Sequence, residues 1–123
     1  PEPMFFDPRI DPRPAPLLHN PLNALVGPRP IGWITTLDAA GVANLAPYSY
    51  FNAFSADPPI VGFAPNARDG AGTPKDTLAN LRVIPEFTAS VVSLPLAEAM
   101  NRTSRALAPG VSEYTDAGLH TAP

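Results

Sequence analysis

Proline limits this chain more than any other residue. Half of its 18 prolines fall within the first 30 positions, from Pro1 to Pro30. Proline fixes φ and has no N–H to donate, so "PEPMFFDPRIDPRPAPLLHNPLNALVGPRP" cannot sustain a helix or a central strand. Residues 1–29 therefore read as an extended arm over the surface of a domain that occupies 30–123. Met4, Phe5, Phe6, Leu17 and Leu18 supply apolar anchors, and "HNPLNALV" has room for one short helical turn.

Beyond Pro30 the pattern changes to short apolar runs. In "IGWITTL", Ile31, Trp33, Thr35 and Leu37 share one face, and Gly32, Ile34 and Thr36 share the other. Both faces carry β-branched residues, which suits a barrel better than a one-sided sheet. Asp38-Ala39-Ala40-Gly41 reads as a turn with glycine in the left-handed position. The run that follows contains Pro47, which makes it an edge strand or a bulge. "ADPP" interrupts it, and "IVGFAP" is a third strand. "TPKDTLANLRVI" reads as a helix capped by Thr73, with Pro74 at its first position and Asp76 favoured by the dipole. Leu78, Leu81 and Ile84 give it a buried stripe, and Pro85 ends it. "EFTASVVSL" is a fourth strand, "PLAEAMNRTSRAL" a second helix, and "APGVSEYTDAGLHTAP" a loop. The result is an α+β fold, mainly β, with a barrel-like sheet and two short helices.

Composition narrows the function. At 123 residues there is one core, and only 15% of residues are charged. So uncharged a surface fits a covered face, such as a dimer interface or a ligand cleft. With 8 basic against 11 acidic residues and a net charge of -3, nothing attracts nucleic acid or anionic lipid. The absence of cysteine excludes disulfides, thiolate metal sites and cysteine nucleophiles. His19 and His120 lie near opposite ends without a partner at helical spacing, so no metal site is expected. Glu86, Glu98 and Glu113 form no recognisable acid–base pair, and no serine sits in a nucleophile turn. No side chain stands out as catalytic, which favours a borrowed reactive group, a cofactor. No run of 18 apolar residues and no leader is present, and a soluble, cytoplasmic protein is expected.

Two stretches carry the chemistry. "FAPNARDGAGTPKDTLANL", Phe63 to Leu81, gathers Arg68, Gly70, Gly72, Thr73 and Lys75 before a helix. Unpaired N–H groups at a helix start and the macrodipole favour an anion there, and Arg68 and Lys75 add charge. A solvated loop with a capped helix accounts for the same residues, and no P-loop pattern is present. "NLAPYSYFN", Asn44 to Asn52, sets Tyr48, Tyr50 and Asn52 on one strand face if Pro47 does not shift the register. A planar ligand could rest there against Ser49, or the aromatics could simply fill the core.

Taken together, these residues resemble the flavin reductase-like, FMN-binding split-barrel family. The likeness rests on the block "RPIGW-TT-D--G--NLAPYS-FN--S-DPP" followed by "KDT--N", and extends from Pro28 to Leu119. It implies a Greek-key split barrel of about six strands, a homodimer, FMN near the dimer interface, and NADH or NADPH as electron donor. Carried across, Lys75, Asp76 and Thr77 fall at the FMN phosphate with Asn80 close by. Asn66 and Arg68 fall along the ribityl-phosphate side. Ala46, Pro47, Tyr48 and Ser49 fall against the flavin, and Thr35 and Thr36 on the strand beside it. Family members continue into further barrel strands, so a barrel incomplete at its C-terminal side is expected. The implied function is reduction of flavin by NAD(P)H with electron transfer to an acceptor. A flavin-binding or structural module without turnover is the alternative. A split barrel holding another phosphate-bearing cofactor, or haem, is a weaker third reading, against which the "APYS" and "KDT" pair stands.

Overall fold

The computed structural model describes residues 7, 9, 21–66, 72–108 and 110–121. Of the arm, most therefore lies outside the described residues, as does Arg68. The short turn expected in "HNPLNALV" is present as α1, Pro21–Leu25.

Two antiparallel sheets form among the described residues. The first has the order β2-β1-β5, from β1 (Gly32–Leu37), β2 (Ala43–Tyr48) and β5 (Thr88–Ser90). The second is a hairpin of β3 (Phe51–Ala56) and β4 (Pro59–Phe63). The β1–β2 turn falls where expected. Gly41 sits at φ +80°, and the Asp38 carboxylate accepts the N–H groups of Ala40 and Val42 at 2.9 and 2.8 Å. This is the local carboxylate-to-backbone bonding that makes aspartate a turn residue.

β1 is central and covered on both faces. Trp33, Ile34 and Thr36 are all buried, which explains why apolar and β-branched residues run continuously along it. Pro47 lies in β2, which is an edge strand, where a missing N–H is tolerated.

Three expectations are corrected. "NLAPYSYFN" is not one strand: Ser49 and Tyr50 form a bend that passes the chain from the first sheet to the second. Tyr48 and Asn52 therefore do not share a strand face. "ADPP" separates two strands as expected, and does so as a hairpin turn, with Ala56 paired to Pro59. The strand in "EFTASVVSL" is only three residues long, since Val91 is already 91% exposed. The tail is not a loop but holds α4, Glu113–Ala117, after Ser112 and before Gly118 at φ +67°. With α2 (Asp76–Val83) and α3 (Ala97–Arg102, entered through a 3₁₀ turn at Leu94–Leu96), the helices number four among the described residues. The fold is α+β and mainly β as expected, and among the described residues the barrel is not closed. None of these helices is long and apolar enough to cross a membrane.

The core is polar for its size. Beside Trp33, Ile34, Leu45 and Tyr48 it buries Thr36, Thr77, Thr103 and Glu113. Each of the polar four has a partner, as burial demands. Trp33 Nε1 donates to Thr103 Oγ1 at 2.9 Å, and Thr103 donates on to the Met100 carbonyl at 2.7 Å. The Leu45 N–H donates to the Glu113 carboxylate at 3.0 Å. Two steps along the same edge, Ser112 Oγ donates to the Ala43 carbonyl at 2.6 Å. α4 thus serves the outward backbone groups of β2, which would otherwise be a pairing template. The two sheets meet through aromatics: Phe63 of β4 packs on Tyr48 and on Phe87, with ring centroids 5.0 and 5.1 Å away.

Replacing Glu113 by alanine leaves the buried Leu45 N–H without an acceptor, at a cost of about 1–3 kcal/mol. Glu113→Gln keeps an acceptor oxygen and loses less. Denaturant unfolding of the two variants beside the wild type measures the difference. Equal losses would mean that the bond contributes nothing specific.

Candidate functional site

The start of α2 lies against the end of β2. The helix begins at Asp76, two residues later than expected, so Lys75 and not Thr73 occupies the cap position. Lys75 has extended backbone, φ -71° and ψ 159°, and gives no side-chain cap bond. An amide-rich helix start without a side-chain cap is suited to an external anion. Lys75 is exposed, and its Nζ lies 5.8 Å from the centroid of the Tyr48 ring. Gly72, at φ +84°, has open space where a Cβ would stand.

Two amides fix this end of the helix to the sheet. Asn44 Nδ2 donates to Thr77 Oγ1 at 2.9 Å, and one turn later Asn80 Nδ2 donates to Thr36 Oγ1 at 3.1 Å. Thr36 and Thr77 are almost completely buried. Their hydroxyls therefore work inside the protein, holding α2 on β1 and β2.

Tyr48 is the unusual group. It is 5% exposed, and its hydroxyl is buried without a partner of acceptable geometry. Burial pushes the phenol up from its ordinary value. The nearby Thr77 hydroxyl opposes this in part, and the Asp76 and Glu113 carboxylates add to it. The Thr77 hydroxyl thus influences the phenol without completing a bond to it.

The residues named from the sequence divide into three groups. Tyr48, Lys75, Asp76 and Thr77 are brought together at the helix start, with Asn80 and Thr36 directly behind. Ala46 and Pro47 precede Tyr48 on β2 and are half-buried. Ser49 lines a different cavity of about 600 Å³, between the Val26–Pro30 segment and the β3–β4 hairpin. Thr35 turns away from both. Its hydroxyl lies 2.6 Å from that of Tyr114, and it lines a third space of about 670 Å³ with Trp33, Leu37 and Phe87. Asn66 is exposed after β4, and Arg68 lies outside the described residues. Sequence reasoning left out Asn44 as a partner of Thr77, and it placed Arg29 in the arm although the 600 Å³ cavity includes it. The motif "RPIGW", which contains Arg29, was the available signal.

These features define an open split-barrel sheet with an anion-suited helix start beside an aromatic strand end. The chain belongs to the flavin reductase-like family: the flavin reductase like domain matches residues 27–123. It is 45% identical over 102 residues to an uncharacterised protein of Halalkalibacterium halodurans, covering 83% of this chain and 48% of that protein. Among solved structures it resembles nitrilotriacetate monooxygenase component B from Bacillus cereus, with TM-score 0.77 and 28% identity. That match covers 96% of this chain and 56% of the other. It also resembles the 2-nitrobenzoate 2-nitroreductase NbaA of Pseudomonas fluorescens, with TM-score 0.68 and 31% identity, over 89% of this chain and 53% of that one. The chain spans about half the length of the curated relatives it matches.

The raised Tyr48 phenol sets a pH dependence. Its folded value lies above the ordinary 10.0, so the folded state holds the proton more tightly than the unfolded chain. Its contribution is complete below about pH 10 and is lost as the pH rises through the folded value. Thermal melts of the wild type should fall more steeply above pH 10 than those of Tyr48→Phe. At neutral pH this variant should be within about 1 kcal/mol of wild type or more stable, since it removes an unpaired buried hydroxyl.

Proposed function

We propose that this protein is an FMN-binding oxidoreductase that takes reducing equivalents from NADH or NADPH, acting as a homodimer. The observation that carries the reading is the α2 start: an uncapped helix end with Lys75 beside it, an open approach at Gly72, and the orphaned Tyr48 hydroxyl behind. This donor set fits a phosphate monoester. Family membership makes a flavin phosphate the natural occupant.

Bound there, FMN would supply the chemistry, accepting hydride from the nicotinamide and passing electrons to an acceptor. The side chains named here bind and orient. Lys75 and the helix dipole neutralise phosphate charge. Asn44 and Asn80 hold the helix so that its N–H groups do not have to reorganise on binding. Ser49 and the backbone of the bend would hold the ring side of the flavin, and Ala46, Pro47 and Tyr48 would lie against it. Asn66 and Arg68 are assigned to the ribityl-phosphate side, and Asp76 to the helix start. Thr36 would act through the sheet, by accepting the Asn80 amide, while Thr35 turns toward Tyr114. The named functions of component B and NbaA, which concern those proteins, are in keeping with a redox role.

A flavin-holding module without turnover is the second reading, favoured by the open barrel. A purified chain that is yellow but leaves NADH and NADPH unoxidised would select it.

Lys75 is the clean position for mutation, because it is exposed and caps nothing with its side chain. Lys75→Ala should weaken FMN binding about tenfold, as expected for one charge-assisted contact, without moving the thermal midpoint. Thr77→Ala is a poorer test because that hydroxyl is buried and bonded to Asn44. Fluorescence titration with FMN reads the outcome, and unchanged affinity in Lys75→Ala would remove the phosphate assignment.

A further inference from the structure

One side of the 600 Å³ cavity beside Ser49 is built differently from the rest. Most of its lining comes from the Ser49–Tyr50 bend and the β3–β4 hairpin, but Val26, Pro28, Arg29 and Pro30 supply the remainder, ahead of β1. That side has little apolar anchorage. α1 buries no residue, and Leu22, Leu25 and Val26 are 54%, 79% and 53% exposed. A segment that buries so little apolar surface opens at low cost.

Among the described residues, its polar contacts with the bend converge on Tyr50. The Tyr50 hydroxyl donates to Asn23 Oδ1, and the Arg29 guanidinium lies over the Tyr50 ring, 5.3 Å from its centroid. Arg29 also ties the segment to itself, since Nη1 donates to the carbonyls of Val26 at 2.8 Å and Asn23 at 3.2 Å. α1 and Arg29 therefore move as one piece. The closed arrangement carries a defect, because Arg29 Nε is buried without an acceptor. Leaving such a donor unpaired is costly, and opening returns it to water. Sparse apolar contact, two ties at one residue and an unpaired donor leave the closed state a small margin over an open one.

We propose that segment 21–29 is a gate on this cavity, latched by Tyr50, which opens to admit or release what the cavity holds. The gate deepens the flavin reading and rests on it for the identity of the occupant. A latch that closes equally well over an empty and a filled cavity changes the rates of exchange and leaves the affinity alone. That signature separates a gate from a direct ligand contact, whose loss weakens binding.

The chain contains no cysteine, so one introduced thiol reports the gate directly. Ser49→Cys sets it on the cavity lining, and Ser93→Cys, at an exposed position, is the control. Asn23→Ala removes the acceptor of the Tyr50 hydroxyl, and Asn23 is not among the described residues lining the cavity. In that background, maleimide labelling of Ser49→Cys should accelerate about threefold to tenfold, the range for one lost hydrogen bond. Ser93→Cys should label at its former rate. Tyr50→Phe should give the same acceleration, and adding it to Asn23→Ala should give nothing more. In stopped-flow binding, Asn23→Ala should raise the FMN association and release rates by a similar factor at unchanged Kd. Unchanged labelling, additive variants, or faster release without faster association would overturn the gate. If FMN does not bind the wild type, the oxidoreductase reading falls and the labelling rates still decide the gate. If FMN binds and labelling ignores Asn23→Ala, the gate falls and that reading stands.

Discussion

The contact between Glu113 and the Leu45 N–H decides what the sheet can become. β2 is an edge strand, and an edge offers a row of unpaired backbone groups to any passing strand. Here Leu45 gives its outward N–H to Glu113, Ala43 gives its outward carbonyl to Ser112, and Pro47 has no N–H to give. The three positions alternate along β2, so two of its outward backbone groups are occupied and a third position has no N–H to offer. A buried carboxylate is an expensive way to do this, and breaking such a contact costs more than forming it gains. That asymmetry fixes α4 on β2 and, through β2, fixes the strand end at Tyr48.

The same strand is tied on its other side to the candidate site. Asn44 reaches Thr77 at the start of α2, and Asn80 reaches Thr36 on β1. Three elements therefore share a small set of polar contacts in a core with few large apolar residues. In a low-dielectric interior, satisfied polar pairs specify one arrangement, where apolar packing of the same size would tolerate several. The orphaned Tyr48 hydroxyl sits at the edge of this network and is its one unsatisfied side-chain group near the helix start.

Much of this was legible in the sequence. β1 announced itself through β-branched residues on both faces, the first turn through Asp38 and Gly41, and the edge through Pro47. The family block located the helix start and the strand end that face each other. What stayed hidden has physical causes. α4 is one turn and a half of "EYTDA", too short for periodicity to show, and its signature lay only in Ser112 before it and Gly118 after it. The break at Ser49–Tyr50 was masked because apolar alternation continues across it, while the chain changes sheets. The cap shifted from Thr73 to Lys75 because Pro74 was read as a first helical residue, and the helix waits until Asp76. The roles of Thr36 and Thr77 depend on partners 44 and 33 positions away. No local pattern records such distances.

The other side of the sheet is open in a way that β2 is not. Among the described residues β5 pairs on one side only, with β1, and its three residues are all exposed. Next to it lie the most exposed apolar side chains of this region, Val91 at 91% and Leu94 at 88%, and the 670 Å³ space bounded by Trp33, Leu37, Phe87 and Leu96. Apolar exposure on this scale, gathered along one side, is characteristic of a surface built to be covered. With β2 covered by α4 at Ala43 and Leu45, β5 is the less protected edge of this sheet among the described residues. Glu113 and Ser112 therefore make the two edges of the sheet unequal: one is bonded to α4, and the other borders exposed apolar side chains.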